Sequence, residues 1–209
     1  MVAIGDKMPK GIPLTEDYLL EKRLAIAHAA AELIFQNGFN ETSMSQIAQK
    51  MGIGKSTIYD YFSSKDEIIL LLLDEPLGEV RSRAEEIETE AGTASERLSR
   101  ILEMHLDVLL RDRAFIFKLS FEFQRLPLDV QGRHEIKRQA YQDLLIGLIE
   151  SGIKDGSFRP IDPDITVKIL LSTLSSVILT SRPNGTPLEM LNRGLDLIFK
   201  GLEKGILAN

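Results

Sequence analysis

The chain contains no cysteine and no tryptophan, and only three of its 209 residues are histidine. Without cysteine there is no disulfide framework, no thiol nucleophile and no cysteine-ligated metal, which suits a reducing cytoplasm. His28, His105 and His134 fall on separate predicted helices without metal-ligand spacing, and no nucleophile motif accompanies them. The sequence therefore reads as that of a non-enzyme with no cofactor and no metal. The longest apolar run, Ile68–Leu73, is far shorter than the roughly 20 residues a membrane-spanning helix needs. The opening MVAIGDKMPKGIPL carries glycines, prolines and an acidic residue, a poor match to a signal peptide. A cytoplasmic protein with no membrane attachment is the expectation. Basic residues are also in short supply: the net charge is −6, and the first 75 residues hold 7 basic against 11 acidic side chains.

What the chain does have is a strongly punctuated stretch from Asn40 to Lys65. Ser43 and Gln46 form a capping box that opens a short helix, with Ile47, Ala48 and Met51 on its inward side. Gly52 stands where the chain must turn, because glycine alone takes left-handed backbone angles without penalty. After Gly54 a second helix begins, with Ile58 and Phe62 as its buried pair. Opposite them lie Ser56 and Asp60, flanked by Thr57 and Tyr59. A face of short hydroxyl and aromatic groups suits a helix lying in the DNA major groove. Two lookalikes fail. Gly54-Lys55-Ser56 resembles the end of a phosphate-binding loop, but the glycine required five positions earlier is Gln49. Asn40-Glu41-Thr42 is a glycosylation sequon without meaning in a cytoplasmic protein.

Residues Arg23 to Glu75 resemble the N-terminal DNA-binding domain of the TetR/AcrR family of bacterial transcriptional regulators. AAAELIFQNGFNETSMSQIAQ, MGIGKSTIYDYF and SSKDEIILLLLDE carry the likeness, in the family's order and spacing. The resemblance implies an all-α protein: an N-terminal three-helix helix-turn-helix domain followed by a larger helical ligand-binding and dimerisation domain. The expected division is a flexible arm over 1–14, the DNA-binding domain over 15–74, and the second domain over 75–209. The expected partners are a palindromic double-stranded operator, a small hydrophobic or acyl-type effector, and a second copy paired through the last two helices.

The resemblance also assigns residues. Hydroxyls at Thr42 and Ser43 match phosphate binders beside a helix N-terminus, and Met44 stands where relatives read a base. Lys55, Ser56, Thr57, Tyr59 and Tyr61 match groove-facing positions, with Lys55 the candidate for guanine. Asp60 either accepts from a cytosine amino group or pairs with Lys55. Lys65 matches a phosphate-contacting lysine. With so few basic groups, few phosphate contacts per subunit and a modest salt dependence are expected.

Further along, Thr15 caps a helix reaching about Asn37, with Leu20, Leu24, Ala27, Ala31, Ile34 and Phe35 inward. Ser64 and Glu67 open another, in which Pro76 predicts a kink or a break. The resemblance makes that point a hinge between ligand movement and the DNA-binding domain. Thr93 and Glu96 cap a helix whose apolar face includes His105 and Leu109. The aromatic segment AFIFKLSFEFQRLP, with Phe117 and Phe121, reads as a wall of a ligand pocket or as ordinary core. Arg125, Arg133, His134, Lys137 and Arg138 form a basic region, read as a solvated face or as an attraction for an anionic ligand. KRQAYQDLLIGLIESGIKDGSFRPIDP resembles the C-terminal domains of TetR members that regulate lipid catabolism. That likeness implies an acyl-coenzyme A or fatty-acid effector bound by His105, Leu109, Phe117, Phe121, Arg125, Arg138 and Tyr141. A drug-type hydrophobic effector, and action without any effector, are the alternatives.

Overall fold

The computed structural model describes residues 15–204, and every regular element among them is a helix. The expected arm, with Lys7 and Lys10, lies outside the described residues. The helices are α1 Glu16–Asn37, α2 Met44–Met51, α3 Lys55–Tyr59, α4 Lys65–Glu88, α5 Ala94–Arg111, α6 Arg113–Phe123, α7 Leu128–Lys154, α8 Pro163–Leu179 and α9 Pro187–Lys204. They divide into two compact units. The first takes the chain up to Glu75 together with Lys118–His134; the second takes Pro76–Phe117 and the chain from Glu135 onward.

In the first unit, Thr15 caps α1 by accepting from the Tyr18 N–H, and Gly38 closes the helix. Ile26, Ala27, Ala30, Ala31 and Ile34 form its buried stripe. Leu20, expected inward, is 47% exposed: it sits in the first turns of α1, N-terminal to that stripe. The small alanines allow close packing against α2, whose Ile47, Ala48 and Met51 are buried. The capping box at Ser43 and Gln46 is formed, and Gly52 follows at φ 67°, ψ 25°. That left-handed turn sends the chain into α3. There Ile58 and Phe62 are both buried, but the helix ends at Tyr59. Phe62 lies beyond that end, still held by its N–H donating to the Ile58 carbonyl at 3.0 Å. Glu67 reaches back to the Ser63 N–H at 2.9 Å, while its own N–H bonds Ser64 Oγ at 3.3 Å. The expected capping box is thus shifted by one residue at its carboxylate end.

α4 does not break at Pro76; helical structure runs through it to Glu88. Proline removes one backbone donor there, but the i→i−4 bonds on either side carry the helix past it. In the second unit, Leu98, Ile101, Leu102 and Leu106 of α5 pack with Tyr141, Leu145 and Leu148 of α7, and with Leu170, Leu174, Leu191 and Leu195 of α8 and α9. Gly194 lets α9 approach α8 closely, since a Cβ at that position would come within 2.8 Å of the Thr173 methyl. The α7–α8 turn is tied to α9 by Arg159, whose Nε donates to the Gly201 carbonyl at 2.8 Å.

Candidate nucleic-acid interface and effector site

Around α2 and α3 the structure sorts the expected DNA-binding residues into two groups. Ser43, Lys55, Ser56, Tyr59 and Asp60 are exposed, with Thr57 and Tyr61 half-buried. These side chains lie on the outer side of the turn whose inner side carries Ile58 and Phe62. Burial, assisted by the nearby Tyr18 and Asp60, raises the Tyr61 phenol above its ordinary range, so it remains an O–H donor. Among the described residues no ion pair joins Asp60 to Lys55, and both side chains are exposed. Thr42 and Met44 behave differently: both are buried, and the Thr42 hydroxyl donates to the Gly38 carbonyl at 2.9 Å. Of the three expected residues at the start of α2, only Ser43 faces solvent, and its hydroxyl is bonded within the capping box.

Lys65 is committed inside the protein. Its ammonium donates to the carbonyls of Phe39 and, at 2.6 Å, of Thr42, and lies 4.3 Å from the centroid of the Phe39 ring. These bonds pin the α1–α2 turn to the start of α4. The ammonium also lies beside the N-terminus of α2, where it adds positive potential to that of the helix dipole. Lys50 likewise joins α2 to α1 through Glu32, at 2.6 Å. Arg23 stacks its guanidinium 4.8 Å from the centre of the Phe62 ring. Much of the scarce positive charge of this unit is thus spent on holding the motif together.

The residues expected to line the effector site are divided between the two units. His105 and Tyr141 meet: Nδ1 and the phenol oxygen are 3.1 Å apart, and the rings are edge to face at 5.4 Å. Burial lowers the His105 pKa to about 4 and pushes the Tyr141 phenol upward. Leu109 lies one turn along α5 from His105 and packs on the same core. Phe117, also of this unit, is exposed, and Arg138 is exposed and held by Glu135 at 2.7 Å. Phe121 and Arg125 belong to the first unit. Arg125, in the turn after α6, lies 3.4 Å from Glu122 near the end of that helix. His134, from the same basic region, is bound to Asp74 at 2.7 Å and packs against Phe123. Neither that pair nor His105–Tyr141 has a sequence signature, since 60 and 36 residues separate the partners.

On the second unit, α8 and α9 form a groove of about 720 Å³ lined by Ile165, Ile169, Ser172, Thr173, Met190 and Gly194, among others. None of the expected effector residues lines it. Ile165, Ile169, Leu179, Leu188 and Leu197 are exposed along these helices. Among the described residues no cluster of His, Asp or Glu is suited to a metal, and no helix is long and apolar enough to cross a membrane.

Two family profiles match the chain. One, described as bacterial regulatory proteins of the tetR family, covers residues 26–72; the other, described as a tetracyclin repressor-like C-terminal domain, covers residues 91–202. The fatty acid metabolism regulator protein of Bacillus subtilis is 26% identical over 185 residues, spanning 87% of this chain and 95% of that protein. The transcriptional repressor KstR2 of Mycobacterium tuberculosis is 25% identical over 191 residues, spanning 88% and 94%. Among solved structures, FadR from Bacillus subtilis in complex with stearoyl-CoA matches with a TM-score of 0.72 at 26% identity, covering 85% of this chain and 97% of that one. With one profile spanning the helix-turn-helix and the other more than half of its length, the chain belongs to the TetR family of bacterial regulatory proteins.

Proposed function

We propose that this protein is a homodimeric transcriptional repressor, released from its operator by an acyl-type effector, with acyl-coenzyme A favoured. The observation that carries the DNA-binding part is the α2–Gly52–α3 geometry. The turn is fixed from within by a capping box, a left-handed glycine and the Lys65 bonds, and it leaves Lys55, Ser56, Tyr59 and Asp60 outward. In this reading α3 enters the major groove, Lys55 reads guanine and Ser43 lies against a phosphate. Residues 15–74 form the DNA-binding domain and residues 75–209 the effector and dimerisation domain. Two copies, paired through α8 and α9, place their α3 helices in successive major grooves about 34–36 Å apart.

The effector class is supported by the relatives: one is named a regulator of fatty acid metabolism, and one was solved with stearoyl-CoA. Effector bound in the second domain favours a state with the wrong spacing, and operator affinity falls by the difference in binding between the two states. The reading is of a cytoplasmic regulator with no catalytic role. Genomic fragments captured by the immobilised protein, then titrated by fluorescence anisotropy with and without stearoyl-CoA, test it. The expected result is a specific near-palindromic fragment whose binding stearoyl-CoA weakens. Capture without sequence preference would overturn the regulator reading; a specific fragment insensitive to acyl-coenzyme A would overturn the effector class alone.

A further inference from the structure

The sequence holds two Asn-Gly steps, Asn37–Gly38 and Asn184–Gly185. At such a step the glycine nitrogen has no Cβ beside it, so nothing shields it from the preceding carboxamide. The fold treats the two steps differently. Asn37 is the last residue of α1, and the Gly38 N–H donates to the Ile34 carbonyl at 2.8 Å. Helical backbone and a made hydrogen bond keep that nitrogen from its neighbour. Asn184 and Gly185 lie in the α8–α9 loop, where residues 181–186 are all exposed. Among the described residues no hydrogen bond engages the Asn184 carboxamide or the Gly185 N–H.

The part of this step that is held is the Asn184 main-chain carbonyl. Arg193 Nη2 donates to it at 2.8 Å, while Arg193 Nε donates to the Glu189 carbonyl at 3.2 Å. Gly185 lets the guanidinium come this close, since a Cβ there would lie 2.5 Å from Nη2. The Glu189 carboxylate, also near Gly185, is engaged by the Thr186 N–H at 2.8 Å. As the Gly185 nitrogen loses its proton, negative charge spreads onto the oxygen that Arg193 holds, and a fixed cation stabilises it there. We propose that Asn184–Gly185 is a site of spontaneous deamidation promoted by Arg193. The deprotonated Gly185 nitrogen bonds to Asn184 Cγ, the bond from Cγ to the amide nitrogen breaks, and ammonia leaves with a proton taken from water. A second water opens the succinimide, at Cγ to give aspartate or at the main-chain carbonyl to give isoaspartate. Arg193 polarises the main-chain carbonyl, so isoaspartate predominates, its new α-carboxylate facing the guanidinium. One negative charge per chain thereby arrives at the edge of the α8–α9 groove, which Arg182, Asn184 and Arg193 help to line. None of this depends on the effector.

Ageing of the full chain at neutral pH tests the site, with peptide mass spectrometry following the mass gain that exchange of NH for O brings. A synthetic peptide of residues 180–190 is the unfolded reference. The Asn184 step should convert at least as fast as in that peptide, while the Asn37 step of the same sample stays intact. Electron-transfer fragmentation should assign most of the product to isoaspartate. Arg193→Gln should slow the conversion about tenfold, the factor expected from one charge-assisted hydrogen bond to the reacting group. It should also lower the isoaspartate share to that of the peptide. Asn184→Gln, whose longer side chain closes a less favourable ring, should abolish the gain at this step. An Asn184 step still intact when the peptide has converted would overturn the site. Conversion of the Asn37 step at the same rate would overturn its selection by the fold, and Arg193→Gln ageing as fast as wild type would overturn the part given to Arg193.

Discussion

Lys65 and His105 show how the surroundings of one residue redirect its chemistry. By its place in the motif Lys65 resembles a phosphate ligand, yet its ammonium is spent on the carbonyls of Phe39 and Thr42. Lys65→Met removes two charge-assisted hydrogen bonds, so stability should fall by about 2–3 kcal/mol, which melting curves will register. Operator affinity should fall as the turn loosens, with the slope against salt concentration unchanged. A direct phosphate ligand would instead reduce that slope by about 0.9. For His105 the sign runs from its folded pKa of about 4 against an ordinary 6.5. Between those values the unfolded state binds the extra proton, so stability is complete above pH 6.5 and is lost as pH falls toward 4. The loss should reach up to about 3 kcal/mol. Melting of wild type and His105→Leu at pH 7 and pH 5 should show a smaller acid-induced drop in the variant.

Among the elements, α4 matters most because Pro76 sits in its interior and the two units divide beside it. The sequence predicted a kink or a break; the helix does not break, and apolar side chains anchor it on both sides of the proline. Ile68, Ile69 and Leu72 are buried before the proline, and Val80 and Ala84 after it. Pro76→Ala supplies the missing donor and removes a steric clash, so thermal stability should rise by about 1–3 kcal/mol. If stearoyl-CoA then releases DNA as readily as in wild type, Pro76 is not a hinge; the expected outcome is weaker release. α3 makes the complementary point. Five residues form few helical bonds of their own, so its geometry depends on Ile58, on Phe62 beyond its end, and on the left-handed turn at Gly52.

At the scale of the whole molecule, the exposed apolar side chains of α8 and α9 are the feature a lone chain leaves unexplained. Ile169 is 50% and Leu197 72% exposed, and clustered exposure of this kind marks an interaction surface. In the proposed dimer these positions are covered by the second copy. Ile169→Arg places a charge in that contact, and analytical ultracentrifugation should show a monomer where wild type sediments as a dimer. Operator affinity should collapse with it, because half-sites bound singly lose the gain from being linked. A dimer that survives the substitution would move the interface elsewhere.

The sequence by itself determined the helical elements and the motif, because capping boxes, helix-ending glycines and 3.6-residue periodicity act over a few neighbouring positions. Thr15, Ser43 with Gln46, Thr93 with Glu96, and Gly52 all do in the structure what their local chemistry dictates. The outward polar face of α3 follows from the same periodicity. Tertiary structure alone decided which side chains are spent internally. Thr42 and Met44 are buried, Lys65 bonds carbonyls 23 and 26 residues away, and His134 pairs with Asp74. It also decided that His105 and Tyr141 meet across 36 residues of chain, and that Arg138 is held by Glu135. Local rules set the conformation of each segment, but partners distant in the chain are chosen by how helices pack, and no spacing within one helix records that choice.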